Sequence, residues 1–191
     1  MPLSEKHKEQ SKKKILASAF DLFTKNGFDN VSIDQIMKNA GLTRGAFYAH
    51  FSSKKSLYKE SISYSTLTSS LLKPKDNKLS DKQWLEQLLQ EYLSPKHVKG
   101  VSTTRCPLAF LTTDIALRDA TIRSTYSDIY KGMNNRLLDH TKSYSDCDAE
   151  KMLAITAMII GGVAIGRALN DEELAQKLLA SCYTTANELL D

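Results

Sequence analysis

Apolar residues recur with a helical period along nearly the whole chain. Ile15, Leu16, Ala19, Phe20 and Phe23 share one face of a first helix, which Asn26 and Gly27 are placed to end. Ser32 is a natural cap for a second helix that turns Ile33, Ile36 and Met37 inward. Ala40, Gly41 and Leu42 make a tight turn, and Thr43 can cap a short third helix over residues 44–50. Ser53 then opens a longer helix with Leu57, Ser61, Tyr64, Leu67 or Thr68, and Leu71 along one side, broken by the Lys- and Pro-containing stretch 73–78.

The rest of the chain repeats the pattern. Residues 81–94 carry Trp84, Leu85, Leu88, Leu89 and Tyr92 on one face, and 95–104 reads as loop. Pro107 suits the first turn of a helix running through Phe110 and Ile115 toward Leu117. Ile122, Tyr126, Ile129 or Tyr130, Met133 and Leu137 mark the next helix, residues 149–169 another, and Leu174, Leu178, Cys182, Ala186 and Leu189 or Leu190 a last stripe. No segment alternates apolar and polar residues over strand length. The expected fold class is therefore all-α, with about nine helices. It divides into a helix-turn-helix domain over residues 1–55 and a larger helical domain over 56–191.

Charge separates the same two parts. Residues 1–60 hold 11 Lys and Arg against 6 Asp and Glu, whereas 61–191 hold 15 against 16, so the basic surplus of this +4 chain lies wholly at its N-terminal end. A basic module beside a neutral remainder is what attraction to a phosphate backbone requires. A solvated lysine-rich tail, including the Lys12-Lys13-Lys14 run, would give the same count. The three cysteines, Cys106, Cys147 and Cys182, have no metal-ligand or redox spacing, which fits a reducing cytoplasm and calls for no metal or cofactor. The N-terminus lacks the apolar core of a signal peptide, and the uncharged run 152–166 is short for a membrane span, so no membrane partner is expected.

Two short helices joined by a turn containing Gly41 satisfy the helix-turn-helix pattern, and the second of them has an unusual make-up. Phe47 and Phe51, four residues apart, form an apolar root, while Thr43, Arg44, Tyr48 and His50 project polar tips. Such a helix suits a major groove: Arg44 can reach a guanine edge with two hydrogen bonds, and Thr43 and Tyr48 can bond phosphates.

Residues 12–60 resemble the DNA-binding domain of TetR/AcrR-type repressors. The likeness rests on Ala19, Leu22, Phe23, Gly27, Phe28, Ile33, Ile36, the run from Ala40 to Tyr48, His50, Phe51, Ser53, Lys54 and Leu57. The resemblance implies that Ser32 holds a phosphate at the start of the second helix. It implies that Thr43, Arg44, Gly45 and Tyr48 face bases and phosphates, that His50 lies close to DNA, and that Lys54 contacts a phosphate. It also implies that residues 56–191 are a regulatory and dimerisation domain. The homodimer would pair through the last two helices and bind double-stranded, palindromic operator DNA with half-sites about 34–36 Å apart per helical turn. Release would follow binding of a small-molecule effector among the middle helices.

For that effector the residues offer Trp84, Tyr92, Phe110, Tyr126, Tyr130 and Met133, a set suited to an apolar or aromatic molecule, although aromatic residues at helical spacing equally describe a core. Cys106, between Arg105 and Pro107 at a helix start, has the surroundings of a reactive thiolate and is a candidate oxidant or electrophile sensor. An effector-independent architectural DNA-binding protein is the alternative reading. An enzyme using Cys106 with His97 or His140 lacks an orienting acid, a glycine-rich phosphate loop and a metal cluster.

Overall fold

A computed structural model describes residues 5–66, 75, 78–100 and 105–191. Among the described residues there are eleven helices and no strand. Chain contacts group them into two units, Met1–Leu67 with Leu111–Tyr126, and Thr68–Phe110 with Ser127–Asp191.

In the first unit α1 (Glu5–Asn26) packs against α2 (Ile33–Asn39) and α4 (Lys54–Ser65), and α2 packs on α3 (Arg44–Tyr48). The expected apolar faces are the buried ones: Ile15, Ala19, Phe23, Ile36, Met37, Leu57, Tyr58 and Ile62 are at most 1% exposed. Each such side chain removed from water contributes roughly 1.5–3 kcal/mol. A buried polar pin adds direction to this packing. The Ser18 hydroxyl donates to the Ile36 carbonyl at 2.8 Å and accepts from the Asn39 amide at 2.9 Å, fixing α2 along α1. Gly41 turns the chain between α2 and α3 at φ +68°, where a side chain would be strained. On α4, Leu57 and Ser61 are buried as the pattern requires, but Ile62 and Ser65 take the inward places beyond them. The expected Leu67, Thr68 and Leu71 lie outside the described residues.

A distant segment completes this unit. Helix α8 (Thr112–Ala116) and the first turns of α9 (Ala120–Thr141) return to it. Asp114 accepts from the Phe28 backbone N–H at 3.0 Å and from the Tyr58 hydroxyl in a short hydrogen bond. Arg118 stands against Asp114 at 3.6 Å and grips Asp29 with two hydrogen bonds of 3.1 and 2.8 Å. Lys55 pairs with Asp119 at 2.8 Å. Burial, then the Asp114 carboxylate, push the Tyr58 phenol well above its usual pKa, so it remains a donor.

The second unit holds α5 (Asp81–Tyr92), α6 (Pro95–Val98), α7 (Pro107–Phe110), the later part of α9, α10 (Ala149–Ala168) and α11 (Glu172–Leu190). Helix α10 packs on α11, α6 and α7, and α11 also meets α5. At Gly162 the helices close up: an added Cβ would stand 2.9 Å from the Cys182 sulfur. The C-terminal stripe keeps Cys182, Ala186 and Leu190 inward but loses its first member. Leu179, Cys182, Ala186 and Leu190 are buried, while Leu174 and Leu189 face outward. Helix α10 is long and apolar enough to cross a membrane by length and composition, but 44% of its apolar window is buried inside this fold.

Two sequence expectations differ from the structure. Residues 95–98 form α6 rather than loop, because the Ser94 hydroxyl accepts from the His97 backbone N–H and Pro95 occupies the first turn. The helix expected from Pro107 to Leu117 is two, α7 and α8, divided at Leu111, which adopts a non-helical φ/ψ of −123°/4°.

Replacing Asp114 with Ala strands the Phe28 N–H and the Tyr58 hydroxyl. Urea unfolding of Asp114→Ala is expected to show a loss of about 2–3 kcal/mol. A loss under about 0.5 kcal/mol would mean that water replaces the carboxylate in full.

Candidate nucleic-acid interface

The recognition surface begins with how α2 starts. Ser32 and Gln35 form a capping box: the Ser32 hydroxyl accepts from the Gln35 N–H at 3.2 Å, and the Gln35 side chain accepts from the Ser32 N–H at 2.8 Å. Ser32 is exposed, at the end of α2 where backbone N–H groups and the helix dipole favour an anion. Its hydroxyl is nonetheless engaged in the cap.

Helix α3 has five residues, ending at Tyr48 rather than at His50. So short a helix has little stability alone and depends on its root. Phe47 is fully buried and Phe51 is 3% exposed, their ring centroids 5.8 Å apart. The Tyr48 and Phe47 rings meet edge to face at 5.1 Å, so Tyr48 is held at its root while remaining 59% exposed. Thr43 caps α3 by backbone geometry alone, leaving its exposed hydroxyl out of the cap. Gly45 is exposed, and a Cβ there would meet only the Thr43 hydroxyl at 4.0 Å, so the backbone of α3 presents a bare surface beside these tips. Thr43, Arg44, Gly45 and Tyr48 thus share one exposed surface.

Arg44 is not left loose on that surface. Its guanidinium bonds the Asp34 carboxylate at 2.8 Å, joining α2 to α3 across the turn. The Tyr48 hydroxyl and then the Asp34 carboxylate raise the Arg44 pKa above its ordinary value, keeping the guanidinium charged. Asp34 escaped the sequence reading, because an acid in the first turn of α2 is ordinarily read as a partner of the helix dipole.

The remaining expected contacts are placed differently. His50 is half-buried, and burial together with Lys8 and Lys12 lowers its pKa, favouring the neutral ring. Lys54 points inward. Its ammonium donates to the Phe28 and Val31 carbonyls at 2.8 and 2.9 Å and lies 4.2 Å from the Phe28 ring centroid. It therefore ties the loop before α2 to the start of α4, and that role explains a lysine here without any phosphate. In the Lys12-Lys13-Lys14 run, Lys12 pairs with Glu60 at 2.6 Å and Lys13 with Glu9 at 2.7 Å.

Residues 15–60 match the model of a family described as bacterial regulatory proteins, tetR family. Over 51 residues the chain is 39% identical to the biofilm operon icaADBC HTH-type negative transcriptional regulator IcaR of Staphylococcus aureus (strain Newman), and over 46 residues 39% identical to the HTH-type transcriptional regulator SrpR of Pseudomonas putida. The first of these matches places residues 15–60 in the TetR family.

These matches cover 27% of this chain and of IcaR, and 24% of this chain against 22% of SrpR, so the chain spans about a quarter of its curated relatives. Solved TetR-family structures extend the likeness of fold to the remainder. A TetR transcriptional regulator from Chloroflexus aurantiacus aligns with a TM-score of 0.77 at 18% identity, over 94% of this chain and 93% of that one. One from Legionella pneumophila aligns over the whole of both chains with a TM-score of 0.72 at 19% identity.

In the second unit the aromatic candidates do not form one set. Trp84 packs on His140 at 4.4 Å with Arg136 nearby, and Met133 is fully buried. Tyr130 bonds the Thr156 hydroxyl at 3.0 Å, and Thr156 in turn bonds Asn134. Tyr92 and Phe110 flank the ring of His97, at 4.4 and 5.9 Å. Tyr126 belongs to the first unit, where its hydroxyl meets that of Thr112 at 3.1 Å. A recess of about 380 Å³ is lined instead by Leu93, Leu179, Tyr183 and their neighbours. Cys106 is 1% exposed ahead of a helix of only four residues, a setting that shields its sulfur from an oxidant. Cys147 and Cys182 are likewise buried free thiols, and burial raises the pKa of both.

The Asp34–Arg44 pair yields a test. Asp34→Asn removes one negative charge from this face and releases Arg44, so binding to random-sequence DNA is expected to tighten a few-fold at low salt, with the gain vanishing as salt rises. Fluorescence anisotropy at several salt concentrations measures it. Weaker binding by the variant would show instead that Asp34 is needed to hold Arg44 in its working position.

Proposed function

We propose that this chain is a transcriptional repressor that binds a palindromic operator as a homodimer and releases it when a small molecule binds the second unit. The observation that carries the DNA-binding part is α3 itself, where a buried Phe47 and Phe51 root supports exposed Thr43, Arg44, Gly45 and Tyr48. The basic surplus of residues 1–60 supports the same reading, through the sequence-independent attraction that brings such a surface to DNA. Its likeness to IcaR, a negative regulator, favours repression.

Dimerisation is supported by apolar residues on the outer sides of α10 and α11. Leu153, Ile165, Leu174 and Leu189 are 37–54% exposed. A second copy would remove them from water, and twofold symmetry would present two α3 helices to two half-sites.

Effector release is supported by the path of the chain. Residues 111–126, which hold Phe28, Asp29, Lys55 and Tyr58 through Asp114, Arg118 and Asp119, are entered from and left toward the second unit. A molecule that favours one conformation of the second unit would pull on this segment and disturb the spacing of the two half-site readers. A full reversal of occupancy needs a differential affinity on the order of 5.5 kcal/mol. Trp84, Tyr92, Phe110, Tyr130 and Met133 remain the aromatic and apolar side chains of the second unit around which such a molecule is sought, whereas Tyr126 belongs to the first unit.

Binding to the DNA upstream of the chain's own coding sequence tests the reading. Wild type is expected to bind a palindromic segment tightly as a dimer, and Tyr48→Ala to bind it roughly tenfold more weakly without loss of fold. Weak binding that ignores sequence and falls steeply with salt, equal in both proteins, would refute the operator reading. Sedimentation velocity of Ile165→Glu and Leu153→Glu tests the interface. Both are expected to shift the protein toward monomer, whereas an unchanged dimer would place the contact elsewhere.

A further inference from the structure

Helix α1 starts at Glu5, whereas its first buried side chain is Ile15, so about three turns of it run over the surface ahead of the core. Lys8 and Lys12, four residues apart, share one face of this stretch. That face meets the chain just beyond α3. The Lys12 ammonium lies 5.5 Å from the Phe51 ring centroid, and the Phe51 ring lies 6.2 Å from that of His50. Both lysines act on the His50 ring and oppose its protonation. Lys12 has an anionic partner, Glu60 of α4 at 2.6 Å. Lys8 makes no ion pair among the described residues, and the His50 ring nitrogens make no hydrogen bond among them.

Two ammonium groups and an imidazole therefore gather two residues past the end of α3, with one carboxylate to answer them. The other charges on the neighbouring elements are engaged elsewhere. Arg44 of α3 is turned to Asp34, Lys54 of α4 to the Phe28 and Val31 carbonyls, and Lys13 of α1 to Glu9. Burial first, then Lys8 and Lys12, hold the His50 pKa below its ordinary value, so at neutral pH the free ring is uncharged. An anion set between Lys8 and the ring reverses the electrostatic cause, because it attracts the proton that the lysines repel. The protonated ring then donates from both nitrogens. The anion that the setting supplies is a phosphodiester. A helix lying in the major groove has sugar–phosphate backbone along both walls, so charge flanking α3 meets phosphate rather than base edges.

We propose that Lys8 and His50 clamp one DNA phosphate beside α3, with Lys12 adding charge, and that DNA binding takes up one proton from solvent at His50. The inference rests on the DNA-binding reading of α3, and adds to it a contact from α1 and a dependence on pH. A group that binds its proton more tightly in the complex makes affinity rise as pH falls. The rise spans the interval between the pKa of the complex and the lower pKa of the free protein, and affinity is level outside it. The gain is the same for any sequence, since a phosphate carries no base information.

The test uses the full-length protein and a short labelled duplex of random sequence, read by fluorescence anisotropy at fixed salt at about pH 6 and about pH 8. Wild type is expected to bind roughly three- to tenfold more tightly at the lower pH, and His50→Gln to lose that difference. Lys8 is exposed, so Lys8→Gln is expected to fold, to bind more weakly, and to show a salt slope smaller by about 1. His7→Gln, which removes the histidine beside Lys8, is expected to keep the pH dependence. NMR titration of the His50 ring in wild type needs no variant, and its pKa is expected to rise when the duplex is added. Binding that is equal at both pH values, a pH dependence retained in His50→Gln or lost in His7→Gln, an unchanged salt slope in Lys8→Gln, or a His50 pKa indifferent to the duplex overturns the clamp and leaves the DNA-binding reading standing. Absence of binding to any duplex at low salt overturns both.

Discussion

The orientation of the recognition surface depends on one carboxylate. Asp114, carried by a segment some fifty residues beyond α4 in the chain, accepts from the Phe28 backbone and from the Tyr58 hydroxyl, and stands beside Arg118, which holds Asp29. A half-buried carboxylate needs such donors, because charge removed from water without partners is strongly disfavoured. The donors come from the loop after α1 and from α4, so satisfying Asp114 also fixes where those elements lie. Gly27 belongs to the same constraint. It takes φ +76°, and a Cβ there would press to 3.2 Å from the Asp114 carboxylate.

From Phe28 the constraint passes to α2 and α3. Phe28 lies between the ammonium of Lys54 and the guanidinium of Arg118, 4.2 and 5.1 Å from its ring centroid. Lys54 in turn holds the carbonyls of Phe28 and Val31, the two ends of the loop that leads into the Ser32 cap. A five-residue α3 cannot orient itself, and inherits its direction from α2 through the Gly41 turn and from the burial of Phe47 and Phe51. The exposed tips proposed to read DNA are thus positioned by contacts that lie away from them.

The periodic pattern made the first four helices, their caps and the polar tips of α3 legible, because each of those is a local matter of face, cap and turn. What the pattern could not carry is what depends on distant chain. Lys54 reads as a phosphate contact until the Phe28 and Val31 carbonyls are seen beside it. Asp114 reads as one more helical acid until Tyr58 is placed against it. The break at Leu111 and the short α6 were missed for a related reason: a four-residue helix offers too few positions for a period to show, and only the Ser94 and Pro95 pair signalled it. Trp84, Met133, Tyr130 and Tyr92 all fall inward as the period requires, yet each meets different neighbours, and periodicity says nothing about which neighbours share a site.

The small residues of α10 show how one helix serves two contacts without conflict. Gly162 is consumed inside the chain, where the Cys182 sulfur would block even a methyl group, and Gly166 faces Val98 and Leu179. Gly161 has nothing within 4 Å of an added Cβ, and it lies four residues from both Ala157 and Ile165, with Leu153 one turn further back. Residues spaced by four share a helix face, so Leu153, Ala157, Gly161 and Ile165 make an outward stripe that is large at its ends and small at its centre. A helix approaching that stripe can come close over Ala157 and Gly161 while Leu153 and Ile165 close around it. The proposed dimer therefore draws on the outer stripe alone, and a substitution at Gly162 would disturb the fold of each protomer before it disturbed their pairing.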